Sequence, residues 1–215
     1  MGDAGERAES VAGPDHKYTA FQKWEYQSVI LPTEHEQFWR DIADSYFNAC
    51  LPLIAALAAG HLNEDVEGTA AIFLFRHYLE LMLKRIIWAG RQLISENEVA
   101  TRDVPNVANI HDLAKLWEWV IADAKPKLNE WQNYDTVSLE KCIMEFDQAD
   151  KKGFAFRYDD CGGKRFRFNF EALARQMDHL RQVLEGLCVT LDMMRDQIQE
   201  YDAYLESEFG SDLYW

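Results

Sequence analysis

The chain has 215 residues, 48% of them hydrophobic and rich in Trp, Tyr and Phe, enough apolar matter for one well-cored domain and far from a disordered polymer. A formal net charge of −15 excludes wrapping of long nucleic acid by a generally basic surface, although a local basic patch is compatible with it. The four cysteines, Cys50, Cys142, Cys161 and Cys188, show no CxxC or His-rich spacing, so free thiols are expected, with no disulfide, metal or cofactor.

The first dozen or so residues are small, polar and Gly-rich, which predicts a flexible start over 1–17 and a single domain over 18–215. No basic segment followed by an apolar one stands at the amino terminus, and charged residues interrupt the best apolar run. The expectation is a cytoplasmic protein without a membrane span. Residues 17–31 hold Tyr18, Phe21, Trp24 and Tyr26 in partial alternation, compatible with a short strand or with an irregular arm.

Pro32 and Thr33 open a predicted helix, with Thr33 as cap and Glu36 in the capping-box position. Its buried stripe runs through Trp39, Ile42, Tyr46, Cys50, Leu53 and Leu57; Pro52 should kink it and Gly60 end it. Residues 69–88 follow as a helix that is apolar on nearly every side, a pattern that belongs in the middle of a bundle, and Gly90 should terminate it. On that helix Arg76, Glu80 and Lys84 stand at i, i+4 and i+8 with His77 beside them. Buried charges persist only when paired, so this stripe must meet partners in this chain or in a second copy, either as a structural ion-pair network or as a site that holds a substrate.

Residues 91–108 read as a polar loop or as a helical extension followed by one; Asn109 should then cap a helix over 109–124, with Asp112 in its first turn and Pro126 as its stop. His111, near that helix start, reads as a neutral ring bonded to a neighbouring backbone or carboxylate group. Residues 138–150 predict a fourth helix. The period then changes. Over 153–170, Phe154, Phe156 and Tyr158 alternate with Arg157, and beyond a DCGG turn Phe166, Phe168 and Phe170 alternate with Arg165 and Arg167, predicting a β-hairpin. Its arginine face, Arg157, Arg165 and Arg167, suits phosphate pairing beside aromatic rings; alternatively the rings are core and the arginines pair with acids, and Arg157 could reach Glu80. From 171 to about 209 a long amphipathic helix closes the chain.

On that last helix Arg175 and His179 share a face at i and i+4, where an imidazole can move a proton and a guanidinium can hold a phosphate. No phosphate-cradling glycine loop, nucleophile elbow, zinc helix or calcium loop is present in the sequence.

The stretches FRHYLELMLKRII, IHDLAKLW and GFAFRYDDCGGKRF, with the closing amphipathic helix, together resemble HEPN-type proteins over most of residues 34–205. The resemblance implies a mainly all-α fold: a HEPN-like helical bundle of about five helices, with an inserted β-hairpin before a long C-terminal helix. It also implies self-association as a homodimer, or membership of a defence or toxin–antitoxin complex, and action on RNA. Many members are metal-independent endoribonucleases with an Arg and a His separated by four to six intervening residues near the start of a late helix, a spacing at which no Arg precedes a His in this chain. Here Arg175 and His179 hold that region with three residues between them. They become the candidate catalytic pair, with Arg157, Arg165, Arg167, Arg76, His77 and Glu80 as candidate substrate-binding residues. The opposed expectation is a non-catalytic assembly module whose acidic surface binds a basic partner.

Overall fold

The computed structural model describes residues 36–93, 106–150 and 167–209, all within the unit Thr33–Trp215. Five α-helices are formed among them: α1 (Glu36–Ala58), α2 (Glu67–Gln92), α3 (Leu113–Trp119), α4 (Thr136–Ala149) and α5 (Phe170–Phe209). No strand occurs among the described residues. The expected hairpin falls largely on 151–166, outside the described residues, as do Arg157 and Arg165; residues 167–169 lead into α5 without strand structure.

α1 continues through Pro52 as one helix and closes in a Schellman motif. The His61 amide donates to the Ala56 carbonyl at 2.9 Å and the Gly60 amide to the Leu57 carbonyl at 3.0 Å, while Gly60 takes the positive φ of 71° that a side chain would resist. The expected glycine stop of α1 is therefore present.

α2 is the element the others surround. Leu79, Leu83, Ile86 and Ile87 are fully buried, and so, nearly, are Arg76, Glu80, Lys84 and Arg85. Where the sequence suggested a stop at Gly90, the helix runs on to Gln92. Gly90 instead admits a close approach of main chain: a methyl group there would stand 2.9 Å from Ala124 Cα and 3.0 Å from the Asp123 carbonyl oxygen. Gly90→Val is expected to cost about 1–3 kcal/mol through overpacking against backbone that cannot rotate aside. The readout is a lower urea midpoint at unchanged m-value; an unchanged midpoint would mean that the facing turn yields.

The third helix is shorter than expected, and its cap is Asp112 rather than Asn109: the Asp112 carboxylate accepts from the Lys115 amide at 2.9 Å. Asn109 ends a separate 3₁₀ turn, Val107–Asn109, capped by Asn106. Between the two the chain stays extended at Ile110 and Asp112, which leaves the His111 carbonyl outside any helix and available to α2. At the far end Pro126, lacking an N–H and crowding the turn before it, coincides with a π turn over Val120–Ala124 and a 3₁₀ turn over Lys125–Lys127. That widened turn is the one packed on Gly90.

α4 begins two residues earlier than its apolar pattern suggested because Asp135 caps it, accepting from the Ser138 amide at 3.1 Å. The 40 residues of α5 match the long predicted helix closely, with Asn169 accepting from the Ala172 amide at its start. No described helix is long and apolar enough to cross a membrane.

Candidate functional site

The charged stripe of α2 is closed from three directions. Arg76 uses each nitrogen of its guanidinium: Nη1 donates to Glu80 Oε2 at 3.0 Å, Nη2 to the His111 carbonyl at 2.6 Å and Nε to the Asp150 carbonyl at 3.2 Å. The Asp150 carboxylate lies 3.6 Å from the same Nε. Lys84 donates to Glu80 Oε1 at 2.9 Å and to the Ala108 carbonyl at 3.0 Å. Asp147 accepts from the Ala114 amide at 3.2 Å and so fastens the end of α4 to the start of α3. The partners the stripe required thus come from this chain, from the 3₁₀ turn, the extended segment at His111 and the end of α4.

Glu80 sits at the centre. Burial alone would push its carboxyl up, but the Lys84 ammonium, by charge and by hydrogen bond, together with the His111 ring, holds it below its ordinary value. It stays a carboxylate with both oxygens engaged. His111 Nδ1 lies 2.9 Å from Glu80 Oε1, so an ionised Glu80, which can only accept, takes a hydrogen bond from Nδ1–H and favours that tautomer. The side chain of His111 is 47% exposed while that of Glu80 is 1% exposed. A buried carboxylate therefore orients a half-exposed imidazole whose second nitrogen, Nε2, makes no hydrogen bond among the described residues.

The other sequence candidates lie elsewhere. His77 has its ring edge-on to Tyr46 of α1 at 4.4 Å and stacked with Phe73, and its charge also acts on Glu80 of the stripe. Arg76 and Glu80 are 1% exposed, a position from which they hold His111 and touch nothing outside the bundle. Arg167 is exposed beside the residues leading into α5.

Arg175 and His179 face solvent with local partners: Arg175 Nη1 is 3.6 Å from Glu171, and His179 Nε2 is 2.9 Å from Asp135 Oδ2. Asp135 marks the opposite end of α4 from Asp150, roughly 20 Å away at 1.5 Å per residue, so the two imidazoles belong to separate places. The His179 ring and the Ser138 contacts hold the Asp135 carboxyl down, from 3.8 to about 2. A depressed folded-state value means that this cap contributes fully above pH 3.8 and is lost as the pH falls toward 2. Acid titration of parent and Asp135→Asn should show the parent alone losing stability in that window; equal profiles would remove the pair as a stabilising contact.

Two further ion pairs tie α2 to its neighbours: Arg85 to Asp192 of α5 at 2.5 Å, and Arg91 to Asp123 at 2.8 Å with its guanidinium 5.2 Å from the Trp119 ring centre. Buried Cys50, Cys142 and Cys188 carry thiols pushed up to about 12 by desolvation, which leaves them unreactive. Cys161 lies outside the described residues. Among the described residues no group of three or more His, Cys, Asp and Glu could hold a metal ion. Compared with family models, curated proteins and solved structures, the chain has no significant match.

Proposed function

We propose that this chain is a HEPN-like component of a prokaryotic defence or toxin system that acts on RNA by metal-independent acid–base chemistry, with His111 as the proton-exchanging group. One observation carries the reading: a buried, ionised Glu80, held by Arg76 and Lys84, fixes Nδ1 of a half-exposed imidazole whose Nε2 makes no hydrogen bond among the described residues. That is how a histidine is prepared to act as a base. In the reaction, Nε2 takes the proton of an RNA 2′-hydroxyl as its oxygen bonds to the adjacent phosphorus. The 5′-oxygen leaves and is protonated in turn, giving a 2′,3′-cyclic phosphate and a 5′-hydroxyl end. By the sequence expectation, Arg157, Arg165 and Arg167 are the candidate cations for the phosphate. The HEPN part of the reading is supported by the sequence stretches FRHYLELMLKRII and IHDLAKLW.

The test is cleavage of total cellular RNA by the purified chain in excess chelator, beside His111→Ala, His179→Ala and Arg175→Ala variants shown to be folded. Cleavage with cyclic-phosphate ends that only His111→Ala loses supports the reading. A folded parent that leaves RNA intact overturns it. Loss in the Arg175 and His179 variants, with His111→Ala active, would move the chemistry to α5.

A second reading, a non-catalytic module that binds a basic partner, is favoured by a different feature, the carboxyl-terminal end of α5.

A further inference from the structure

α2 and α5 run parallel and in register, with Arg85 paired to Asp192 and the Arg195 guanidinium over the Trp88 ring. The same offset brings the end of α2, Gln92, level with Gln199. α5 continues to Phe209, so its last ten residues, about 15 Å of helix, pass the end of the helix that covers it.

The apolar seam does not stop there. Met177, Leu180, Leu184, Leu187 and Leu191 are buried at alternating spacings of three and four, and the same alternation continues without a break through Met194, Ile198, Tyr201 and Leu205. Beyond the bundle these positions open: Ile198 is 49% exposed, Tyr201 61%, and Tyr204 beside them 55%. A helix end of this length is marginal in water unless its apolar stripe is covered.

Charge selects the cover. From Asp196 to Phe209 the sequence has five acidic residues and no basic one, and Glu200, Asp202, Glu206 and Glu208 are exposed around the seam. A second copy would set acids against acids, and a nucleic acid or an anionic lipid surface would be repelled as well. What fits is a segment with apolar residues at helical spacing and Lys or Arg beside them.

We infer that the end of α5 docks a basic amphipathic helix of another protein, with Ile198, Tyr201 and Leu205 as its apolar anchors and the surrounding carboxylates as its charge match. This surface is separate from His111 and stands whether or not RNA is cleaved.

The experiment uses the full chain and a Leu/Lys helical peptide with apolar residues at alternating three and four spacing. Its controls are the same peptide with Glu for Lys and a scrambled Leu/Lys peptide, all followed by fluorescence anisotropy. The patterned basic peptide is expected to bind, more weakly as salt rises. Affinity should fall about tenfold or more both in the pair Ile198→Ser with Tyr201→Ser and in the pair Asp202→Lys with Glu206→Lys. It should hold when exposed acids of α4 are reversed, Glu140→Lys with Glu145→Lys. Equal binding of the scrambled peptide, an equal loss from the α4 reversals, or no binding to folded parent would overturn the inference. So would sedimentation showing a dimer that the Ile198 and Tyr201 changes dissolve, since a second copy would then be the occupant.

Discussion

Glu80→Ala is expected to lower the stability of the bundle by about 3–5 kcal/mol, the usual cost of removing one partner from a buried charge group. For a chain of this size that corresponds to a fall in Tm on the order of 10 °C. Arg76 and Lys84 are 1% and 4% exposed and both donate to Glu80. Without it, each keeps, among the described residues, carbonyl oxygens and, for Arg76, the Asp150 carboxylate at 3.6 Å. The penalty arises from the stranded cations rather than from the worth of the contact. A variant that replaces the whole stripe with apolar residues of similar size, Arg76→Met, Glu80→Leu and Lys84→Met, should therefore recover most of the loss. The pH dependence has a definite sign. The Glu80 carboxyl is held below its ordinary 4.5, so its contribution is complete above that pH and is lost as the pH falls through the folded-state value. Urea unfolding of the three proteins at neutral pH, with the parent repeated toward acid, measures all of this. A Glu80→Ala variant within about 1 kcal/mol of the parent would mean that the stripe is not a paired unit.

That stripe shows what the sequence made legible and where it fell silent. Three charges at i, i+4 and i+8 on a helix apolar all round demand burial and therefore partners, and both follow from periodicity. The partners themselves did not follow. His111 and Asp150 lie 35 and 74 positions from Arg76, and nothing local in either stretch announces that its backbone carbonyl will accept from a guanidinium. His111 read as a ring bonded to a neighbouring backbone or carboxylate group; the partner is a carboxylate, but on another helix rather than nearby in the chain. The errors of boundary have the same origin. Gly90 has the sequence signature of a helix stop yet serves a close backbone approach from a turn more than 30 residues away. Asn109 and Asp112 are both good caps, and tertiary demand for the His111 carbonyl coincides with the choice of the second. α5 was the easiest to read because its signal, alternating spacings of three and four, lies wholly within the element. Arg175 and His179 share a face as the spacing required, but on an exposed helix that face is not buried, and among the described residues its partners are the exposed Glu171 and the Asp135 cap.

His111→Ala is expected to reduce RNA cleavage by about 10²–10⁴-fold, the range for loss of a positioned proton-transfer group, while leaving the bundle nearly as stable as the parent. Glu80 keeps its bonds from Arg76 and Lys84 when the imidazole goes, and an ion contact to a half-exposed ring is worth about 1 kcal/mol or less. Glu80→Gln should behave in the opposite proportion. It retains the shape but removes the charge that selects the Nδ1–H tautomer, so activity falls through His111 and stability falls through the two cations. Glu80 is a positioning residue in this scheme, and the two variants separate its roles. Chemical rescue distinguishes proton transfer from mere packing at position 111. Imidazole added to His111→Ala can enter a site with the exposure of the parent ring and should restore part of the rate, whereas Glu80→Gln, with its own imidazole in place, should gain nothing. If free imidazole leaves His111→Ala inactive while the variant folds as the parent does, the ring contributes structure alone. The buried carboxylate would then be only the centre of an ion-pair network, and the weight would pass to the acidic end of α5 as the working surface of the protein.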